Sequence, residues 1–155
     1  MIRFILALTA TALVCSCSPP LPKCSAPNPK TIANALSGRE FFRATLTMVA
    51  KSTVTGKMVA DKDPQGFEKR LSRAVDHALV RYGKQWDTNF AQAYSDTLSQ
   101  QELSAVCAAM NENDKGSFGR FADRVGTDMK SKSTPLLHMA GVEVIKELAQ
   151  GSIAK

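Results

Sequence analysis

The sequence predicts an all-α protein: a single small domain of five or six amphipathic helices that follows a signal peptide and a proline-rich tether. Three observations predict this fold class. Apolar residues from Thr31 onward recur at steps of three and four. Helix-start signals stand in front of several of these stripes, and no segment of useful length alternates as a strand does. A chain of 155 residues allows one ordinary domain.

The apolar stripes define the helices in chain order. The first stripe begins at Thr31, and Gly38 is predicted to bend or divide it, with a weaker continuation after Thr53. A shorter stripe reaches Leu98, and Gly83 is predicted to end the helix before it. That preceding helix has the clearest amphipathic pattern. Its apolar face consists of Phe67, Leu71, Ala74, Val75, Ala78, Leu79 and Tyr82.

Three local signals predict where helices start. The pair Asp63–Pro64 combines a side chain that can cap a helix with a proline at the first helical position. Ser99 and Glu102 form a capping box, in which each side chain binds the backbone amide of the other residue. Thr134–Pro135 repeats the cap-plus-proline pattern and predicts the start of the last helix.

Composition and charge describe a globular chain. Hydrophobic residues make up 44% and charged residues 22%, which excludes wholesale disorder and a collagen-like fibre. The net charge of +6 is uneven, with twelve basic against five acidic residues over 17–84 and seven against nine over 85–155. The basic excess favours contact with an anionic surface such as a lipid or polysaccharide. The alternative is a solvated face without a partner. Nucleic acid is not an expected partner, because aromatic residues do not interleave with the basic ones.

The N-terminus has the pattern of a signal peptide. Arg3 is the only charged residue among the first twenty-two, and the segment 4–14 is apolar apart from two threonines. This apolar run has signal-peptide length and is shorter than the roughly 20 residues that a membrane-spanning helix needs. The predicted organisation is therefore a signal peptide at 1–16, a lipidated N-terminus and proline-rich linker at 17–30, and a helical domain at 31–155.

The segment around Cys17 resembles a bacterial lipobox. Val14 supplies the aliphatic residue at −3 and Ser16 the small residue at −1, whereas Cys15 has the bulky Val14 at its −1 position. The resemblance implies cleavage before Cys17 and acylation of its thiol with palmitate-like chains, each buried methylene contributing about 0.8 kcal/mol to anchoring. In bacteria that resemble the enteric type, an Asp after the lipidated cysteine favours retention in the inner membrane, so Ser18 favours the outer membrane. The alternative is ordinary cleavage, which gives a soluble periplasmic protein.

The cysteines that remain after cleavage and lipidation are Cys24 and Cys107. An oxidising compartment favours a disulfide between them, which would close a loop of about eighty residues and contribute about 4 kcal/mol. The alternative is a free Cys107 that packs as a small hydrophobic residue of a helix. Five prolines within 18–30 predict an extended spacer between the membrane and the domain, or an irregular tail without a spacing role.

The stretch from Phe90 to Gly116 resembles the bacterial family catalogued as domain of unknown function 2059. The shared features are the aromatic residue Tyr94, the cap Ser99-x-x-Glu102 followed by an apolar helix, and the polar turn that ends at Gly116. The resemblance covers about residues 65–150 and implies a small helical domain that faces the periplasm. It implies no activity.

No set of residues in the sequence predicts catalysis, a cofactor or a metal. His77 and His138 stand alone in the sequence and are expected on helix surfaces, and the mature chain has no Cys-x-x-Cys pair. Phosphate-binding loops and nucleophile elbows are missing from the sequence. The expected function is therefore a non-catalytic binding or interaction module, tethered to the membrane by lipid, that contacts an envelope protein or an anionic surface. A structural or stress-related role of a soluble periplasmic protein is the alternative.

Overall fold

Six α-helices and no strand are found in residues 19–150, the part of the chain that the computed structural model describes. This confirms the predicted all-α class and the predicted helix number. The signal peptide, Cys17 and Gly151 lie outside the described residues. The helices are α1 (Pro29–Ala35), α2 (Gly38–Ser52), α3 (Val54–Lys62), α4 (Pro64–Thr97), α5 (Gln100–Glu112) and α6 (Lys115–Gln150).

The helix α4 runs antiparallel to α2. At one end of the pair, Arg39 Nε lies 2.8 Å from an oxygen of Asp87, and at the other end Lys51 Nζ lies 2.7 Å from an oxygen of Glu68. The first ion pair joins the start of α2 to the C-terminal part of α4, and the second joins the end of α2 to the first part of α4.

The helix α6 runs antiparallel to α4 over most of its length. Arg124 Nη2 donates to the carbonyl oxygen of Thr97 at 2.6 Å, and His77 Nδ1 lies 3.1 Å from a carboxylate oxygen of Glu147. The long helices α2, α4 and α6 therefore form a three-helix bundle, to which the shorter helices α1, α3 and α5 are added.

The bundle core is centred on two stacked aromatic rings. Phe42 is fully buried, and its ring lies 4.5 Å from that of Trp86 with an angle of 11° between their planes. The indole Nε1 of Trp86 donates to the carbonyl oxygen of Gly38 at 2.8 Å, which satisfies the polar atom of this buried side chain. The rings therefore fix the start of α2 against the middle of α4.

The predicted starts of α4 and α5 are confirmed. Asp63 Oδ1 accepts from the amide of Gly66 at 3.0 Å, with Pro64 at the first helical position. At α5, the Ser99 hydroxyl accepts from the amide of Glu102, and the Glu102 carboxylate accepts from the amide of Ser99 at 2.8 Å. Each of these caps is formed within four consecutive residues of the chain.

The prediction that Gly83 ends a helix is wrong, because α4 continues through it to Thr97. Gly83 is buried, and a Cβ added there would lie 3.6 Å from the guanidinium carbon of Arg39. Its φ is not positive, so it does not adopt the left-handed conformation that ends helices at glycine. The residue instead lies within α4 at its contact with Arg39 of α2.

The prediction that Thr134–Pro135 starts the last helix is also wrong, because Pro135 lies inside α6. A proline in a helix removes one backbone hydrogen bond, and the turn before Pro135 has side-chain donors nearby. Asn89 Nδ2 donates to the carbonyl oxygen of Lys132 at 3.1 Å, and Thr134 Oγ1 donates to that of Lys130 at 2.7 Å. α6 thus continues through Pro135, and the carbonyl groups of Lys130 and Lys132 in the turn before it accept from side chains of α6 and α4.

Two glycines in α6 offer a gain in stability. A Cβ added at Gly119 or Gly126 would meet no atom within 4 Å. We expect Gly119→Ala and Gly126→Ala each to raise the free energy of unfolding by about 0.5 to 1 kcal/mol, because alanine has the higher helix propensity. Urea unfolding followed by circular dichroism measures the change. The control is Gly56→Ala, which should destabilise, since its Cβ would lie 1.9 Å from the carbonyl oxygen of Ala50.

The capping box of α5 predicts that the stability of the fold depends on pH. Hydrogen bonds from Arg124 and from Ser99 lower the pKa of Glu102 to about 2. The ionised carboxylate therefore stabilises the fold fully above its ordinary pKa near 4.5, and this contribution should be lost as the pH falls toward 2. An NMR titration of the Glu102 carboxyl carbon measures the pKa, and Arg124→Gln should raise it. An unchanged pKa in that variant would contradict the assignment.

Candidate functional site

The structure contains a disulfide between Cys24 and Cys107, which confirms the predicted pairing. The two Cα atoms are 5.3 Å apart, and 83 positions separate the residues in the chain. Cys107 lies on the buried face of α5, where the sequence places it, and Cys24 is buried as well. The bond joins the segment before the first helix to α5.

Hydrogen bonds hold the segment 21–28 on α5; we call it the docked segment. Asn111 accepts from the amide of Cys24 at 2.9 Å through Oδ1 and donates to the carbonyl oxygen of Cys24 at 3.0 Å through Nδ2. Asn113 Oδ1 accepts from the amide of Leu21 at 2.8 Å, and Gln100 donates to the carbonyl oxygen of Pro27 at 2.9 Å. Side-chain amides of α5 and its C-cap thus replace the strand or helix partner that this proline-rich backbone lacks.

Asn113 has a second role at the same corner. Its φ of 58° places it in the left-handed region, where it is the C-cap of α5 and allows the turn into α6. Asparagine tolerates this conformation better than most residues with a side chain. Glycine would make the turn as well, but it could not accept the hydrogen bond from Leu21. One residue therefore links the α5–α6 turn to the N-terminal segment.

The docked segment bears on the predicted tether. The sequence predicts a spacer over 18–30 and a domain from Thr31, whereas α1 begins at Pro29 and contact with the domain begins at Leu21. Proline excludes regular structure from such a segment but does not prevent it from packing on a neighbouring helix. Over 21–28 the segment belongs to the folded unit.

A second surface of interest is the outer side of the C-terminal half of α6. His138, Val142 and Lys146 follow one another at intervals of one helical turn and form an exposed ridge. A groove runs along each side of this ridge, and the three residues line both grooves. We call the groove toward α4 the polar groove and the groove toward α2 and α3 the apolar groove.

Ion pairs between α4 and α6 occupy the polar groove. Glu143 accepts from Arg81 at 2.8 Å and from the Tyr82 hydroxyl at 2.9 Å, and Glu147 faces His77. The hydrogen bond to Glu143 raises the pKa of Tyr82. His77 thus lies on a helix flank, as predicted, and bridges to the neighbouring helix. The carboxylates of this groove are engaged by neighbouring side chains.

The apolar groove has a volume of about 560 Å³, and its floor and walls are mostly aliphatic. Gly141 leaves its floor open, since a Cβ there would already touch Val49 at 3.9 Å. Thr53 and Thr55 close the end toward α3, and Lys146 and His138 stand on the ridge. The apolar lining consists of Val49, Leu137, Gly141, Val142, Ile145 and Ala149.

The lining of the apolar groove carries one charged side chain, that of Lys146. The lining contains no carboxylate, and Lys146 and His138 are its titratable side chains. Within the described residues, Lys146 has no ion pair or hydrogen bond through its ammonium group. The groove therefore combines an aliphatic floor with an available positive charge at its edge.

Residues 19–150 hold no group of three or more His, Cys, Asp and Glu side chains arranged to bind a metal. Within the same residues, no helix is both long enough and apolar enough to cross a membrane. Of the residues singled out from the sequence, Cys24 and Cys107 come together, His138 lines both grooves, and Cys17 lies outside the described part.

The chain matches no protein-family model, no curated protein and no solved structure. Its resemblance to the family catalogued as domain of unknown function 2059 stays a prediction.

Val142 and Met139 are two apolar residues of α6 whose exposure was not predicted from the sequence. Their side chains are about half exposed beside the buried stripe of this helix. The signal was available, because apolar residues that do not fit the core periodicity of a helix widen its apolar face.

Proposed function

We propose that this protein is a lipoprotein of the bacterial cell envelope whose helical domain is a non-catalytic binding module. The lipid chains on Cys17 hold it at the membrane, most simply the outer membrane, where it faces the periplasm and contacts another envelope component. The disulfide between Cys24 and Cys107 is the observation that carries this proposal.

A structural disulfide supports export, because such bonds form and persist in oxidising compartments and are rare in the bacterial cytosol. Export is also supported by other residues of the chain, namely the signal-peptide pattern at 1–16 and the lipobox-like segment before Cys17. Pairing of Cys24 with Cys107 is also compatible with acylation of Cys17, since neither bonded thiol competes for the lipid.

The docked segment limits how far the domain can stand from the membrane. Leu21 is bound to Asn113, and only four residue steps separate it from Cys17. Four fully extended residues span at most about 14 Å. We therefore propose that the domain is held close to the bilayer, with the α5–α6 corner nearest the anchor, and that the proline-rich segment acts as a short link.

A binding role is supported by the kind of surface that the described residues offer. The grooves beside the α6 ridge are open and shallow, and the carboxylates of the polar groove are engaged by Arg81, Tyr82 and His77. Catalysis usually needs titratable groups that converge in a pocket with their charges uncompensated. Exposed aliphatic side chains beside a lysine instead suit contact with another molecule.

The intact mass of the native protein, extracted from membranes with detergent, tests the placement. We expect a chain that begins at residue 17 and carries acyl chains, with no free thiol before reduction. Cys17→Ser should abolish acylation and leave the mass of the unprocessed precursor, while Cys24 and Cys107 still form their bond. A native product that begins elsewhere, or that is recovered without detergent, would contradict lipidation and favour the soluble periplasmic alternative.

A further inference from the structure

We infer that the apolar groove binds an acidic amphipathic helix of a partner protein. This inference rests on the proposed binding function and names the chemistry of the partner. It combines the shape of the groove, its charge and its position relative to the predicted anchor.

The shape of the groove suits a helix. An exposed ridge with a groove on either side is the surface that a second helix packs against, ridge into groove. The lining runs along α6 from Leu137 to Ala149, which is about 18 Å at 1.5 Å per residue. A partner helix of about 12 residues would fill this length. The groove is open along its length, so a helix can enter it from the side.

The charge of the groove selects the partner. The aliphatic floor of the groove complements an apolar stripe on the partner helix. The Lys146 ammonium, which has no partner in the described residues, complements a carboxylate beside that stripe. A basic amphipathic helix would place like charges next to Lys146.

The position of the groove favours a protein partner over the membrane. The predicted anchor enters at the corner where α6 begins, whereas Val142 lies 27 residues further along α6 than Lys115. That separation is about 40 Å along the helix, about three times the reach of the link from Cys17. The groove thus lies at the end of the bundle remote from the anchor.

The test uses residues 17–155 with Cys17→Ser and the disulfide formed. The probes are two designed helical peptides of about 16 residues with the same leucine stripe, one flanked by Glu and the other by Lys. We expect the Glu peptide to bind in the micromolar range and the Lys peptide at least about tenfold more weakly. Fluorescence anisotropy measures both affinities. Because the lipid anchor is absent from this assay, its result is independent of whether Cys17 is acylated.

Substitutions locate the binding surface. Val142→Glu and Lys146→Glu should each weaken binding of the Glu peptide about tenfold, and Lys146→Glu should strengthen binding of the Lys peptide. Val80→Glu is the matched control, because Val80 is 88% exposed on α4 and lines neither groove. Val142 is itself 55% exposed, so all these variants should keep the wild-type melting temperature.

Several results would overturn the inference. They are equal binding of both peptides, binding of neither, and binding of the Glu peptide that Val142→Glu does not weaken. Co-sedimentation with phosphatidylcholine vesicles containing about one-fifth phosphatidylglycerol, lost in Val142→Glu, would assign the groove to a membrane surface instead. Self-association at micromolar concentration that Val142→Glu abolishes would assign it to a second copy of this chain.

Discussion

Loss of the disulfide should lower the free energy of unfolding by about 4 to 5 kcal/mol. The bond joins residues 83 positions apart, so it restricts a long loop of the unfolded chain, and the entropy of that restriction grows with loop length. The double variant Cys24→Ser with Cys107→Ser, compared with the oxidised protein in urea unfolding, measures the effect. Hydrogen exchange should show early loss of protection over 21–28.

A matched variant separates the covalent bond from the contacts around it. Asn111→Ala removes both hydrogen bonds to Cys24 but keeps the disulfide, and should cost about 1 to 2 kcal/mol. If removing the disulfide cost no more than this variant, the bond would contribute through local contacts alone. The loop-entropy account would then fail.

Truncation of Phe42 should produce the second large effect. Phe42→Ala is expected to lower the free energy of unfolding by about 3 to 5 kcal/mol, because it removes a fully buried ring and leaves a cavity beside Trp86. The expected loss is comparable to the total stability of many small domains. Urea unfolding followed by Trp86 fluorescence reports both the stability and the environment of the stacked indole.

The adjacent residue provides the control. Phe41 has the same side chain on the same helix, but it is 61% exposed and its ring lies 6.0 Å from that of Trp86 in a tilted arrangement. Phe41→Ala should cost about 1 kcal/mol or less. Similar losses at both positions would mean that the stack in the core is not what stabilises the start of α2.

The sequence predicts the fold class and the starts of α4 and α5, because helical periodicity and caps depend on neighbouring residues. The caps at Asp63 and Ser99 need only the three residues that follow them, and the structure forms both. The same local signals mislead at Gly83 and Pro135, where the helix continues and a neighbouring helix packs beside it. Arg39 of α2 lies beside Gly83, and Asn89 of α4 donates in the turn before Pro135.

The candidate sites also differ in how far the sequence predicts them. Counting cysteines predicts the pair Cys24 and Cys107, but the docking of 21–28 depends on Asn111 and Asn113, which have no sequence signature as partners of a proline-rich segment. The grooves beside α6 depend on how this helix meets α2, α3 and α4. The exposed Val142 and Met139 carry a signal, because they widen the apolar face of the helix beyond its core stripe.

The long separation of the two cysteines has a consequence for biosynthesis. A chain made from its N-terminus presents the Cys24 thiol well before its partner, since Cys107 follows 83 positions later. During that interval the nearest thiols are Cys15 and Cys17, which could pair with it wrongly. In the proposed processing, Cys15 is removed with the signal peptide and the Cys17 thiol is acylated. Oxidation of the mature chain would then form the bond between Cys24 and Cys107 without these competing thiols.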